Sequence, residues 1–236
     1  MSAGKLILLP NVLEESLPAD PFLPASIAAT IGQLDGLIAE SEKSARRYLR
    51  RFLSHEKMAS LPLRLLNEHT APKEIEALLK PVIEGQTWGV VSDAGLPCIA
   101  DPGAELVAAA RRSNIDIEAI AGPCSLILAL QLSGFSGQRF CFHGYLPRDA
   151  EELEKKIKDL EKRAKEETQI WIEAPYRSAK MLDALKIWLQ PATRLCVAVN
   201  LTTPSQRVAS HPIHQWKSLP FEIGKEPAVF LIFRND

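Results

Sequence analysis

The sequence predicts an α/β protein of two domains with mainly parallel sheets. Three observations predict it. Short apolar runs alternate with longer amphipathic stretches, the order in which strands and covering helices follow one another in parallel sheets. The runs are bounded by Pro, Gly and small polar residues, where chains turn. The 236 residues, 46% hydrophobic and 24% charged, suffice for one large domain or two of about 100–130 residues, each with its own core.

In order along the chain, Lys5–Leu9 reads as a buried strand ended by Pro10, and Gly36–Ala39 as a second, weaker one. Ala45, Tyr48, Leu49 and Phe52 stand at offsets 0, 3, 4 and 7, one face of a helix. Thr87–Val91 is a third strand. Residues 105–110 are rich in helix formers and follow Asp101-Pro102-Gly103, with Asp101 as N-cap and Pro102 at the first helical position. Residues 115–120 form the next strand. The domain junction falls near Ala121-Gly122, giving domains 1–121 and 122–236. In the second half, 125–132 is an apolar helix and 139–143 a strand. Residues 151–167 carry seven acidic and six basic residues around a stripe of Leu153, Ile157, Leu160 and Ala164, an exposed helix with one buried face. A strand at 169–172, a helix at 177–189, a strand at 195–199, a short antiparallel strand at 206–208 and a last strand, Ala228–Phe233, complete the pattern.

Composition excludes several classes. A net charge of −1 provides no global field for nucleic acid or membrane, so any polyanion site must be a local patch. The apolar content excludes disorder as the dominant state. Cys98, Cys124, Cys141 and Cys196 have no zinc or redox spacing and read as buried thiols of a reducing compartment. No apolar run approaches a membrane span, so a soluble, cytoplasmic protein is expected, with no membrane partner. Neither GxGxxG nor GxxxxGK[ST] follows the first strand, and His55, His69, His143, His211 and His214 are scattered, so no metal site is expected.

Residues 90–103 are the most informative stretch. A strand runs into a loop of small residues with two Asp, two Pro and two Gly, then into a helix. Open α/β sheets bind ligands beyond the carboxyl ends of their strands, where Asp93 is placed. Its carboxylate can accept from a ligand hydroxyl or ammonium, or the loop can be only a turn. Lys43, Arg46, Arg47, Arg50 and Arg51 crowd one helix. They read either as phosphate contacts or as a solvated face with acid partners such as Glu40 and Glu42.

The run Ser92-Asp93-Ala94-Gly95-x-Pro-x-Ile-x-Asp-Pro-Gly resembles the signature loop of the small-subunit ribosomal RNA ribose 2′-O-methyltransferases of the tetrapyrrole methylase superfamily. Ala121-Gly122-Pro123-Cys124-Ser125 is similar to that family's Pro-Gly-Pro-Ser-Ala. Phe142-His143-Gly144-Tyr145-Leu146-Pro147-Arg148 is similar to Phe-x-Gly-Phe-Leu-Pro-Arg, and Glu173-Ala174-Pro175-Tyr176-Arg177 to Glu-Ser-Pro-His-Arg. Pro227 to Ile232 resembles the closing strand. The resemblance covers nearly the whole chain.

It implies a homodimer whose two α/β domains hold S-adenosyl-L-methionine in the cleft between them. By matched position Pro10, Ser92, Asp93, Leu96, Cys124, Ser125, Glu173, Ala174 and Leu201 would bind that cofactor. Glu68 and His69, in a segment similar to the family's His-Glu-His, are candidate catalytic residues, and Lys43, Arg47 and Arg50 would hold RNA. The chain departs from the family pattern in three places. The first loop, usually Ala-Thr-Pro-Ile-Gly-Asn-Leu-x-Asp, is Leu9-Pro10-Asn11-Val12-Leu13-Glu14-Glu15-Ser16. Glu-Asp-Thr-Arg becomes Glu40-Ser41-Glu42-Lys43, and Arg-Glu-Leu-Thr-Lys becomes Val199-Asn200-Leu201-Thr202-Thr203. The expected activity is methyl transfer to RNA of the ribosomal small subunit. The alternatives are a small-molecule or tetrapyrrole acceptor, and a non-catalytic protein that binds cofactor or RNA.

Overall fold

The computed structural model describes residues 4–234. The chain divides into two compact units, Met1–Cys124 and Ser125–Asp236. The division falls past Ala121-Gly122 because Gly122 and Pro123 pack within the first unit. A Cβ on Gly122 would stand 2.1 Å from Pro10 Cβ, and the Pro123 carbonyl lies close to Gly95.

The first unit contains β1 (Lys5–Leu9), α1 (Ile27–Gly32), β2 (Gly36–Ala39), α2 (Glu42–Leu49), α3 (His55–Ser60), β3 (Leu63–Leu65), α4 (Pro72–Ile83), β4 (Thr87–Val91), α5 (Ala104–Arg112) and β5 (Asp116–Ala119). Its sheet has the order β3-β2-β4-β1-β5 and every pairing is parallel. Period-2 alternation divides the strand residues between two cores. Ile7, Leu9, Leu37, Ala39 and Val91 pack with Ile27 and Ile31 of α1, Ala45, Tyr48 and Leu49 of α2 and Met58 of α3. Leu6, Ile38, Trp88 and Val90 pack with Ile75, Leu79 and Val82 of α4 and Leu106 and Ala110 of α5. The connection leaving β1 therefore crosses one face of the sheet, and that leaving the neighbouring β4 crosses the other. Between two such strands the loops diverge and open a crevice, the switch point at which open α/β sheets bind ligands.

Helix α4 was not expected. Its Ile75, Leu78, Leu79 and Val82 keep helical spacing, but Pro81 interrupts the pattern. Proline lacks the N–H that would bond to the Ala77 carbonyl. The Arg64 guanidinium donates to that carbonyl instead. Pro72 opens the helix, and Glu74 reaches back to the Ala71 N–H at 2.7 Å. The short elements α1, α3 and β3 were also missed. Asp101 does not cap α5: Gly103, at φ 134°, is the residue before the helix, which starts at Ala104.

The second unit contains α6 (Ser125–Ser133), β6 (Phe140–Tyr145), α7 (Ala150–Arg163), β7 (Thr168–Glu173), α8 (Ser178–Trp188), β8 (Arg194–Val199), β9 (Arg207–Pro212), α9 (Ile213–Trp216) and β10 (Ala228–Phe233). Its sheet, ordered β6-β7-β10-β8-β9, is parallel only between β6 and β7. β10 enters the middle antiparallel to both neighbours, and β9 returns antiparallel on β8. This sheet is thus mainly antiparallel, unlike the expectation. Strand spacing gives no direction, and the short link from β8 to β9 suits a hairpin-like return. Leu153, Ile157, Leu160 and Ala164 face Trp171, Leu195, Val197 and Phe230 in one core. α7 ends at Arg163, short of Glu167. Its charges are mostly solvated, but Glu161 is buried, accepting from the Gln190 N–H at 2.7 Å and the Thr193 hydroxyl at 2.6 Å.

Candidate functional site at the carboxyl edge of the parallel sheet

Five parallel strands deliver their carboxyl ends to one edge of the first unit. Pro10 and Asn11 follow β1, Glu40 follows β2, Glu68 and His69 lie beyond β3, and Ser92 and Asp93 follow β4. Asn11 joins the two loops that diverge at the switch point. Its side-chain amide donates to the carbonyls of Ser92 at 3.1 Å and Asp93 at 2.9 Å. Its Oδ1 accepts from the Val12 N–H at 2.9 Å and, at 3.4 Å, from Arg51. Its backbone N–H donates to the Gly95 carbonyl at 2.7 Å. A buried amide has two donors and two acceptor lone pairs, and Asn11 uses all four.

The loop so anchored is conformationally unusual. Gly95 (φ 68°), Cys98 (φ 68°), Ala100 (φ 67°) and Gly103 (φ 134°) all have positive φ. Non-glycine residues adopt this region at a cost, and such positions gather at functional loops. Gly103 has a further constraint, since a Cβ there would sit 2.6 Å from Cys98 Sγ.

Three carboxylates surround the loop. The Asp93 side chain is exposed, while its backbone N–H donates to Glu40 Oε1 at 3.1 Å. Burial pushes the Glu40 carboxyl up to about 7; the Asp93 N–H opposes this, and the charges of Asp101, Asp93 and Glu68 add to it. Burial likewise pushes Asp101 up to about 6, with the Ser92 hydroxyl opposing and Asp93 adding. Carboxylates held this close, with their ionisation resisted, favour a cationic ligand that would relieve both effects.

The other expected residues are distributed as follows. Pro10 is buried, with its carbonyl accepting from the Tyr48 hydroxyl at 3.1 Å, and Leu96 is half-buried beside Gly122. Cys124 and Ser125, both half-buried, stand at the entry to α6. Glu68 and His69 lie 3.6 Å apart in a turn, each side chain 84% exposed. That turn is closed by Asn67 and Thr70, and only the charge of Glu68 reaches Glu40. On α2, Arg46 pairs with Glu42 at 2.7 Å and Arg47 with Glu15, whereas Lys43 and Arg50 are exposed without a charged partner among the described residues. Arg47 also lines a small open pocket with Asn11, Glu15, Tyr48, Arg51 and Asp93. The basic helix and the Asp93 loop therefore meet at one pocket.

In the second unit Glu173 ends β7 with its side chain fully buried. Oε1 accepts from the Ala174 N–H at 2.8 Å. Oε2 lies 3.1 Å from Arg177 Nη2, off the axis of a formed hydrogen bond, so that contact is held by charge. Burial pushes this carboxyl up, against the Ala174 N–H and the charges of Arg177 and Arg148. Arg177 also donates to the Pro147 carbonyl at 2.9 Å. Ala174 is half-buried. Leu201 is buried between Asn200 and Thr202, both at positive φ. Among the described residues no group of three His, Cys, Asp or Glu side chains could hold a metal ion, and no helix is long and apolar enough to cross a membrane.

Sequence reasoning missed two residues of the site. In the sequence Glu40 reads only as a counter-charge, and Asn11 only as a departure from a motif. The signal for both was position, since each directly follows the end of a strand in an all-parallel sheet or is one residue removed from it.

Residues 28–216 match the family model for tetrapyrrole (corrin/porphyrin) methylases. The protein named ribosomal RNA small subunit methyltransferase I from Escherichia coli O157:H7 is 32% identical over 148 residues, 63% of this chain and 51% of that protein. Its namesake from Thermotoga maritima is 34% identical over 161 residues, 67% of this chain and 68% of that protein. The chain thus spans about half the length of the Escherichia coli relative and of its Streptococcus pyogenes namesakes. Among solved structures, the methyltransferase CobJ superposes with a TM-score of 0.61 at 16% identity, covering 99% of this chain and all of that one. Diphthine synthase superposes with a TM-score of 0.61 at 11% identity, covering 98% of this chain and 89% of that one. These last two are likenesses of fold.

Proposed function

Because the chain belongs to the tetrapyrrole methylase family, we propose that it transfers a methyl group from S-adenosyl-L-methionine to RNA, at a ribose 2′-hydroxyl of small-subunit ribosomal RNA. The observation that carries the reading is the Asn11-braced loop at the switch point, bordered by Glu40, Asp93 and Asp101. This residue set fits the cofactor. A sulfonium and an ammonium are cations, and burial pushes two of the three carboxyls up, to about 7 and about 6, so a positive charge beside them favours their ionised forms. The bound cofactor supplies an already activated methyl group, so the protein's task is placement.

Each residue has a part in that placement. Asp93 accepts hydrogen bonds from the donor molecule, and Glu40 fixes the Asp93 backbone. Asn11 keeps the loop in its positive-φ form, and Pro10, Ser92 and Leu96 shape the surface that the donor lies on. Lys43 and Arg50, exposed and without a charged partner among the described residues, meet phosphates of the acceptor. The named relatives, at 32–34% identity, support RNA as the acceptor.

A small-molecule acceptor is the second reading, favoured by the pairing of Arg46 with Glu42 and Arg47 with Glu15, which removes part of the cationic field. The deciding experiment incubates the protein with tritiated-methyl S-adenosyl-L-methionine and extract, with and without RNase. Label in RNase-sensitive material of small-subunit size is expected. Label only in RNase-resistant small molecules would establish the second reading, and binding without transfer would show a non-catalytic protein.

A further inference from the structure

The geometry points to a phosphate-binding site in the pocket between α2 and the loop after β1, where in the free protein Glu15 lines the wall and pairs with Arg47. The assignment of that phosphate to an acceptor strand rests on the RNA reading; the pocket itself does not.

Arg47 lies on α2 and Arg51 one turn further on, so both guanidiniums reach the same side. Glu15 engages both. Its carboxylate pairs with Arg47, and its backbone carbonyl accepts from Arg51 Nη2 at 2.5 Å. Guanidinium forks bind carboxylates and phosphates by the same planar geometry, so the carboxylate on Arg47 and the backbone carbonyl on Arg51 mark oxygen positions that a phosphate can take. The Ser44 hydroxyl in the lining makes no hydrogen bond among the described residues and is available to a further oxygen. Burial holds Arg51 below its usual pKa, and the neighbouring charge of Arg47 acts in the same direction. A dianionic group placed between the two guanidiniums would oppose their mutual repulsion.

The charge balance favours exchange. Arg47 and Arg51 line the pocket together with Glu15 and Asp93, two positive charges against two negative. When Glu15 swings out with its exposed loop, the pocket is left with an excess positive charge. Asp93 then stands at the edge as an acceptor for a hydroxyl, the group that neighbours a phosphodiester in RNA. Since Asp93 belongs to the donor loop, a phosphate held by Arg47 and Arg51 sets the adjoining ribose beside that loop. Lys43 and Arg50 on the same helix extend the cationic track outward.

The test follows the arginine Nε–Hε resonances of Arg47 and Arg51 by NMR in the full chain. Wild type and Glu15→Gln are titrated with inorganic phosphate, with chloride at matched ionic strength as control. A partly exposed ion pair is worth up to about 1 kcal/mol, so its removal should lower the phosphate midpoint about two- to fivefold. Adding Arg47→Ala to Glu15→Gln should abolish the gain, with unchanged melting curves reporting intact folds. Resonances unmoved by phosphate, or equal midpoints in wild type and Glu15→Gln, would overturn the site. A second arm uses short single-stranded RNA. Movement of the same resonances assigns the pocket to a phosphodiester. Movement with inorganic phosphate but not with RNA overturns the acceptor-strand assignment and places a free phosphorylated molecule there. RNA methylation with both resonances still overturns the pocket while the RNA reading stands.

Discussion

Asn11 donates from its side-chain amide to the Asp93 carbonyl over 2.9 Å, so the loop after β1 sets the position of the loop after β4. The two strands are neighbours in the sheet, and their connections leave over opposite faces. No backbone ladder continues past Leu9 and Val91, where β1 and β4 end. There the Asn11 side-chain amide joins the loops through two hydrogen bonds, beside the backbone bonds from Asn11 N–H to the Gly95 carbonyl and from Gly95 N–H to the Val12 carbonyl. The crevice is therefore bridged at its base by Asn11 rather than left to two independent loops.

Replacing Asn11 by Ala should weaken both fold and binding. Two carbonyls and one N–H lose their partner in a buried setting, at a cost of about 1–3 kcal/mol. Urea unfolding should show a lower midpoint with unchanged slope, and calorimetry a weaker affinity for S-adenosylhomocysteine. An Asn11→Ala protein equal to wild type in both would show that the bridge has no role.

Asp93→Ala separates the side chain from the brace, because the contacts to Asn11 and Glu40 use Asp93's backbone. The melting temperature should hardly change. Loss of a charge-assisted contact of about 1.5–3 kcal/mol should weaken cofactor binding roughly ten- to a hundredfold. Unchanged affinity by calorimetry would remove Asp93 from the cofactor site.

Much of this edge was legible in the sequence. The strand-loop-helix run at 87–112 announced itself through a Val-rich strand, small residues and an Ala-rich helix, and the structure places them so. The sequence did not show which loop would touch it, because Asn11 and Ser92 are 81 positions apart and pair only once β1 and β4 are neighbours. The direction of β10 was hidden for a related reason. An apolar run fully buried in mid-sheet reads the same whichever way it points. Helix α4 was obscured by one proline, whose missing hydrogen bond is compensated by an arginine 17 residues earlier in sequence.

Glu40 and Asp101 make stability depend on pH in an unusual direction. Both carboxyls are raised in the folded protein, to about 7 and about 6. Below the unfolded value near 4.5 for Glu40 both states are protonated and the folded state keeps its full advantage. Between that value and about 7 the unfolded chain gives up its proton first, so stability falls as pH rises through this window. For Glu40, half-exposed and screened by solvent, the loss should be on the order of 1–2 kcal/mol. Glu40→Gln keeps an acceptor for the Asp93 N–H and should flatten the fall between pH 5 and 8. An identical pH profile for Glu40→Gln and wild type, by urea unfolding, would show that the carboxyl is not raised.

Lys43 and Arg50 should act on RNA alone. Both are exposed and have no charged partner among the described residues, unlike Arg47, which shares its pocket with Asp93. Replacing both by Ala should flatten the dependence of log affinity on log salt by roughly two units if each meets one phosphate. Affinity for the cofactor should be unchanged. Equal salt slopes for wild type and the double variant would make this face a solvated one.

The environment of Glu173 offers a second candidate part beside the expected one. By matched position it was a cofactor contact, but its carboxylate is fully buried and engaged by the Ala174 N–H and by Arg177. Removing one partner of such a pair leaves a buried charge uncompensated, at a cost of about 3–5 kcal/mol, whereas removing both costs much less. Arg177→Met should therefore destabilise strongly by urea unfolding, because it leaves the Glu173 carboxylate with only the Ala174 N–H and the weaker charge of Arg148 to oppose its burial. Glu173→Gln should destabilise less, because the amide oxygen still accepts from Ala174. The double variant should recover part of the Arg177→Met loss, a coupling of at least about 1 kcal/mol in a mutant cycle. Cofactor affinity measured where each variant is folded separates the two roles. A positioning residue predicts affinity that follows the fraction folded, with no further loss in Glu173→Gln. A drop of tenfold or more in a fully folded Glu173→Gln, with additive stabilities in the cycle, would return Glu173 to direct contact with the cofactor.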